Sequence, residues 1–104
     1  MAVEKDGNIV VGIGCYKREE WEQFLALADD REKLEDTYDE WIRDFRKTVR
    51  NMRKAGINPR KVCFKLDELI DFCRKKGLKN NAEARSEFFA ELTRQGRTEE
   101  INDY

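Results

Sequence analysis

The 104-residue chain contains no histidine, one proline and no apolar run that approaches the length of a membrane-spanning helix. Histidine is the usual general base, the commonest metal ligand and the ordinary partner of a nucleophilic serine or cysteine. A membrane span needs about 20 apolar residues, and the N-terminus lacks the basic and then apolar stretches of a signal peptide. We therefore expect a cytoplasmic protein that is not an enzyme, binds no cofactor or metal and does not enter a membrane.

Cysteine is scarce, and Cys15, Cys63 and Cys73 are odd in number and have no paired spacing. This pattern is typical of proteins whose thiols stay reduced, and it does not form a zinc-binding motif. Cys15 follows Gly14 and could be a reactive thiol. Because the chain has no histidine to activate it, we interpret Cys15 as a structural or incidental cysteine.

Charge is abundant, since charged residues make up 41% of the chain and cancel to a net charge of -1. With 11% aromatic residues, this composition is typical of a globular helical protein rather than of a disordered one. The length predicts a single domain over residues 1–104, in which the polar ends, 1–8 and 96–104, are expected to be flexible.

The strongest pattern runs from Glu35 to Gly56 and predicts one long amphipathic helix. Thr37 and Glu40 have the spacing of a capping box, and Gly56 lies where a left-handed residue would end the helix. One side is apolar and consists of Tyr38, Trp41, Ile42, Phe45, Val49 and Met52. The opposite side is basic and consists of Arg43, Arg46, Lys47, Arg50, Arg53 and Lys54.

Shorter patterns predict five further elements: a strand at 9–15, a helix at 18–28, a strand at 57–66, a helix capped by Asp67 and a helix from Asn81 to about 95. The order is β-α-α-β-α-α, which predicts an α+β fold with about four helices packed on a small sheet of two short strands. Two short strands are only marginally stable alone, so either the helices cover them or a second chain extends the sheet. A homodimer and the relative direction of the strands both stay open.

The run Gly12-Ile13-Gly14 contains part of the glycine pattern of a dinucleotide-binding loop. The third glycine of that pattern is missing, and Tyr16 and Lys17 do not complete it. We favour the alternative that glycine relieves crowding at a strand end or a bulge.

Acidic and basic residues are segregated along the chain: residues 18–42 hold ten acids and three bases, whereas residues 43–79 hold thirteen bases and four acids. Such a basic region can bind nucleic acid or an acidic protein. It can also be neutralised within the molecule, for example if Asp39 pairs with Arg43 one helical turn later.

Arg85 is a charged residue at a position expected to be apolar, because its helical position places it between Phe88 and Phe89. It could extend its guanidinium group to solvent, it could pair with Asp67, Asp71 or Glu87, or it could bind an anion in a cleft.

Residues 60–95, RKVCFKLDELIDFCRKKGLKNNAEARSEFFAELTRQ, resemble the ribbon-helix-helix DNA-binding fold: an alternating strand leads into a capped helix, a glycine turn and a second helix that opens with Ala84-Arg85-Ser86-Glu87. This resemblance implies that two strands pair across a dimer and that Lys61, Cys63 and Lys65 face the major groove. It also implies that amides near Asn81 bind a phosphate. The turn at 77–81 is longer than in that family, and the reader positions lack its arginine or amide side chains.

Four further runs together extend over nearly the whole chain and resemble small bacterial proteins of this length whose function is not established: CYKREEW at 15–21, LEDTYDEW at 34–41, DELI at 67–70 and ARSEF at 84–88. That resemblance implies a stand-alone bacterial domain and no particular activity.

We therefore predict a non-catalytic module that binds another protein through Arg43, Lys47, Arg50 and Lys54 on the basic side of the long helix. The alternative is a dimeric DNA-binding regulator that uses Lys61 and Lys65.

Overall fold

A computed structural model describes residues 2–3 and 9–102 of the chain. Its strands are β1 (Ala2–Val3), β2 (Ile9–Cys15) and β3 (Ile57–Cys63), and its helices are α1 (Trp21–Leu27), α2 (Tyr38–Lys54), α3 (Leu66–Lys76) and α4 (Ala82–Arg94). Short 3-10 turns at Arg18–Glu20 and Arg31–Lys33 precede α1 and α2. The predicted α+β class and the order of the four helices and two main strands are confirmed.

The two main strands are parallel, with a register that runs from Ile9 opposite Ile57 to Cys15 opposite Cys63. Their direction could be read from the connection between them, since a crossover long enough to hold two helices suits parallel strands. β1 adds a short antiparallel strand on the other side of β2, where Ala2 lies opposite Val10. The flexibility predicted for 1–8 stays a prediction at Ala2–Val3, and for residues 1 and 4–8 it lies outside the described residues.

Local hydrogen bonds explain where the helices begin. The backbone N–H of Glu40 donates to Thr37 Oγ1 over 3.1 Å, and that of Ala84 donates to Asn81 Oδ1 over 3.0 Å, which confirms both predicted caps. The prediction of Asp67 as a cap is wrong, because α3 already begins at Leu66. There the N–H of Lys65 donates to Glu68 Oε1 over 2.9 Å, so the helix starts two residues earlier.

The sheet lies between α2 and α4, because successive side chains of a strand point to opposite faces. Ile13 packs with Phe45 and Val49 of α2. Gly12 on the opposite face is approached by Thr93 of α4, and Gly14 by Phe89. The larger core is formed beside the sheet by all four helices and the end of β3, and it includes Trp21, Phe24, Val62, Phe64, Leu69, Phe88 and Leu92.

The C-terminal segment that follows α4 packs on β3, where the sequence indicated a loose tail at 96–104. Lys61 and Glu99 exchange two backbone hydrogen bonds of 2.9 Å, which places Glu99 at the far edge of the sheet. Ile101 is only 4% exposed and packs against the apolar side of α2. The guanidinium of Arg97 donates to both carboxylate oxygens of Glu68, over 2.6 and 3.1 Å, and lowers the pKa of Glu68 to about 2. Residues 103–104 lie outside the described part of the chain.

Candidate protein-binding site

The basic side of α2 is exposed along the whole helix. Five of its cations take part in none of the ion pairs between described residues: Arg43, Arg46, Lys47, Arg50 and Lys54. Arg53 differs, because its guanidinium donates to the carbonyl oxygen of Ile101 over 2.7 Å. We call the five residues the basic face of α2. The structure thus brings all four predicted partner-binding residues, Arg43, Lys47, Arg50 and Lys54, onto one open surface.

The neutralising pair that the sequence suggested for this face is absent from the described contacts. Asp39 accepts a hydrogen bond of 2.7 Å from Arg18, which precedes α1, and not from Arg43. The proposed Asp39–Arg43 pair is therefore wrong, since the Asp39 carboxylate is directed toward another element. The positive charges of Arg43, Lys47, Arg50 and Lys54 follow one another at intervals of about one helical turn and therefore repel one another. This repulsion favours an acidic neighbour on this side of α2.

A groove of about 480 Å³ lies between α2 and α4. Its floor is the edge of β2, and its lining comprises Val11, Gly12, Ile13, Gly14, Tyr16, Trp41, Thr48, Met52, Ser86, Phe89, Ala90 and Thr93. Most of these residues are apolar, and the polar residues Thr48 and Ser86 belong to the α2 wall and the α4 wall, respectively. The groove therefore combines apolar walls with a backbone floor.

The floor of this groove is an open sheet edge. β1 pairs with β2 only at Ile9 and Val10, and Val11–Gly14 pair only with β3 among the residues that the structure describes. Backbone N–H and C=O groups of successive strand residues point alternately to the two sides, so two of these four residues direct theirs into the groove. Sequence reasoning missed this edge, because a run of strand-forming residues does not reveal which side of the strand will be covered.

The glycines of the dinucleotide-like motif have a packing role. A Cβ atom at Gly12 would lie 2.0 Å from Thr93 Oγ1, and one at Gly14 would lie 2.1 Å from Phe89 Cζ. Real Cβ atoms do not approach other atoms so closely, and glycine therefore lets α4 lie directly on β2. The structure thus supports the interpretation that glycine relieves crowding, although by helix packing rather than at a bulge.

Arg85, the candidate anion-binding residue, is buried and engaged within the protein. It is 5% exposed and donates to Asp30 Oδ2 over 2.7 Å and to Asn80 Oδ1 and the Asn80 carbonyl oxygen over 3.0 Å. Of the three predicted roles, the ion pair is the one that the structure contains, but the partner is Asp30 and not Asp67, Asp71 or Glu87. An anion from solvent would have to displace Asp30 to reach the guanidinium.

The residues of the DNA-binding alternative lie on and after β3. Lys61 lies opposite Ile13 on one side and bridges to Glu99 on the other, and Lys65 is exposed just before α3. A ribbon shared by two copies would require one edge of β3 to pair with its counterpart, yet both edges are paired at Lys61. DNA binding through Lys61 and Lys65 stays an untested prediction that would need this pairing to open.

Tertiary contacts raise the pKa values of Cys63 and Glu35. Cys15 and Cys63 lie opposite each other on the parallel strands. Burial and a hydrogen bond with Glu99 raise the pKa of the Cys63 thiol to about 12, which makes it a poor nucleophile at neutral pH. Burial and a hydrogen bond with Asp44 raise the pKa of Glu35, which sequence reasoning did not single out.

The described residues contain neither a metal-binding cluster nor a membrane-spanning helix. No group of three or more cysteine, aspartate and glutamate side chains is arranged to hold a metal ion in that part of the chain. No described helix is both long enough and apolar enough to cross a bilayer.

We found no match for this chain among models of known protein families, curated proteins or solved structures. The two resemblances stated from the sequence therefore stay predictions.

Proposed function

We propose that this protein is a non-catalytic module that binds an acidic partner protein through the basic face of α2. The observation that carries the proposal is that five exposed cations on one helix have no ion-pair partner among the described residues, although other exposed cations of the chain do. Clustered cations attract an acidic partner at long range and fix its orientation on contact.

A charge-reversal experiment tests this function. A fluorescent glutamate-rich peptide is titrated with the wild-type protein and with the double variant Lys47→Glu/Arg50→Glu, and anisotropy is recorded. We expect the variant to bind the peptide at least about tenfold more weakly, and added salt to weaken the wild-type complex.

The matched control is Lys75→Glu/Lys79→Glu, which makes the same change in net charge at two exposed lysines outside α2. Equal losses in the two double variants would mean that only the overall charge matters, and this result would contradict a site on α2.

Random duplex DNA, titrated in parallel, separates the protein-binding function from the DNA-binding alternative. Under the proposed function the protein does not bind duplex DNA. If it does, and if Lys61→Ala and Lys65→Ala each flatten the salt dependence by about one unit, the DNA-binding alternative replaces our proposal.

A further inference from the structure

The open edge of β2 and the basic face of α2 are neighbouring surfaces. Thr48 lines the groove, and Lys47, the residue before it, lies about 100° further round the same helix. A narrow strip of α2 that carries the exposed residues Asp44 and Asn51 therefore separates the α2 wall of the groove from the basic face. Asp44 lies on the same flank one turn earlier, where its carboxyl group is hydrogen-bonded to Glu35.

We propose that the groove accepts an extended segment of the acidic partner protein as an additional β-strand along Val11–Gly14. This inference rests on the proposed function and specifies how such a partner binds. The segment would carry apolar side chains at alternate positions and acidic residues toward Lys47. Strand addition is a known mode of peptide recognition, in which the main chain supplies the affinity and alternate side chains supply the specificity.

The backbone of β2 supports this inference. Two of the four residues from Val11 to Gly14 direct an N–H and a C=O group into the groove, and an added strand would pair with them. β1 already shows that this side of β2 accepts an antiparallel strand at Ile9 and Val10. The partner segment therefore runs antiparallel to β2 and continues the line of β1.

The walls of the groove determine the kind of occupant. α2 covers one face of the sheet and α4 covers the other, so the edge lies between two helices. A second copy of the protein carries the same two helices beside its own edge, so pairing of two edges would also bring α2 and α4 of one copy against those of the other. A single extended segment is narrow enough to enter, and its alternate side chains would face Met52 on one wall and Phe89 and Ala90 on the other.

A synthetic peptide with aspartate at both ends and alternating valine and threonine in the middle serves as the probe. Its matched control has the same sequence but carries N-methyl groups on alternate backbone amides, which removes strand hydrogen bonds and leaves charge and side chains unchanged. We expect the wild-type protein to bind the probe at least about tenfold more tightly than the methylated peptide. Hydrogen exchange of the groove-facing amides between Val11 and Gly14 should slow only when the unmethylated probe is bound.

Ala90→Trp tests the groove from the protein side, because a large ring on the α4 wall would fill it. We expect at least a tenfold loss of affinity for the probe. Thr48→Trp on the opposite wall provides a second test if the first variant fails to fold. Ala26→Trp on the exposed side of α1 is the matched control and should bind the probe like the wild type.

The outcomes distinguish this inference from the proposed function. If both peptides bind equally and Ala90→Trp has no effect, while Lys47→Glu/Arg50→Glu weakens binding, the strand addition is overturned and the function of the basic face stands. If Ala90→Trp weakens binding of the probe and Lys47→Glu/Arg50→Glu does not, the proposal that the partner is acidic is overturned. The protein alone could instead dimerise as its concentration rises, which sedimentation would detect. If hydrogen exchange of the amides at Val11–Gly14 slows in that dimer, the occupant of the groove is a second copy and the inference is overturned.

Discussion

Arg85 and Asp30, which are separated by 54 intervening residues, form an ion pair of 2.7 Å in which both side chains are more than nine-tenths buried. Asp30 Oδ2 also accepts from the backbone N–H of Ala82, and Asn80 is held by the neighbouring Asp29. This polar cluster therefore joins the segment after α1 to the turn before α4. Burial alone would raise the pKa of Asp30, but the hydrogen bond and charge of Arg85 lower it, so the carboxylate stays ionised.

We expect Asp30→Ala to lower the free energy of unfolding by about 3–5 kcal/mol, because it leaves the buried Arg85 guanidinium without a counter-charge. Asp36→Ala is the control, since it removes an exposed pair with Arg31 and should cost less than about 1 kcal/mol. Urea unfolding at neutral pH measures both values. Similar costs for the two variants would show that the buried pair contributes no more than a surface pair.

Glu35→Gln should raise the free energy of unfolding at pH 7 by up to about 1 kcal/mol. Burial and Asp44 raise the pKa of Glu35 in the folded protein, so ionisation opposes folding there. The contribution of Glu35 to the free energy of unfolding is fully present below the ordinary pKa of glutamate. It is lost as the pH rises through the raised pKa of Glu35 in the folded protein. The gain from the substitution should therefore disappear near pH 4, and Glu32→Gln, at an exposed glutamate, is the matched control. A gain that is equal at both pH values would contradict this explanation.

Gly14→Ala should lower the free energy of unfolding by about 1–3 kcal/mol, because the added Cβ would overlap the ring of Phe89. The double variant Gly14→Ala/Phe89→Ala removes that overlap, so its cost should be smaller than the sum of the two single costs. Thermal or urea unfolding of the four proteins in this cycle gives the coupling energy. If the changes in the free energy of unfolding of the two single variants simply add up in the double variant, Phe89 is not the reason for glycine at this position.

Much of the fold could be predicted from local signals. The period of apolar residues indicated α2 and its basic face, and Thr37 and Asn81 marked the starts of α2 and α4. The start of α3 was misplaced at Asp67, because a carboxylate suits a cap and nothing in the pattern showed that Lys65 and Glu68 would form the first bond. Ile101 was missed because a single apolar residue in a polar segment has no period, although its burial helps to hold that segment on α2.

Local sequence patterns were enough to predict the helices, the two main strands and the segregation of charge, because helix period, strand alternation and capping involve residues only a few positions apart. Those patterns did not reveal the partner of Arg85, the packing of α4 on Gly12 and Gly14 or the open edge at Val11–Gly14. Each of these depends on contacts between segments far apart in the chain. The candidate site therefore could be predicted as a charged helix face, but the groove beside it exists only because α2 and α4 are brought to opposite faces of one sheet.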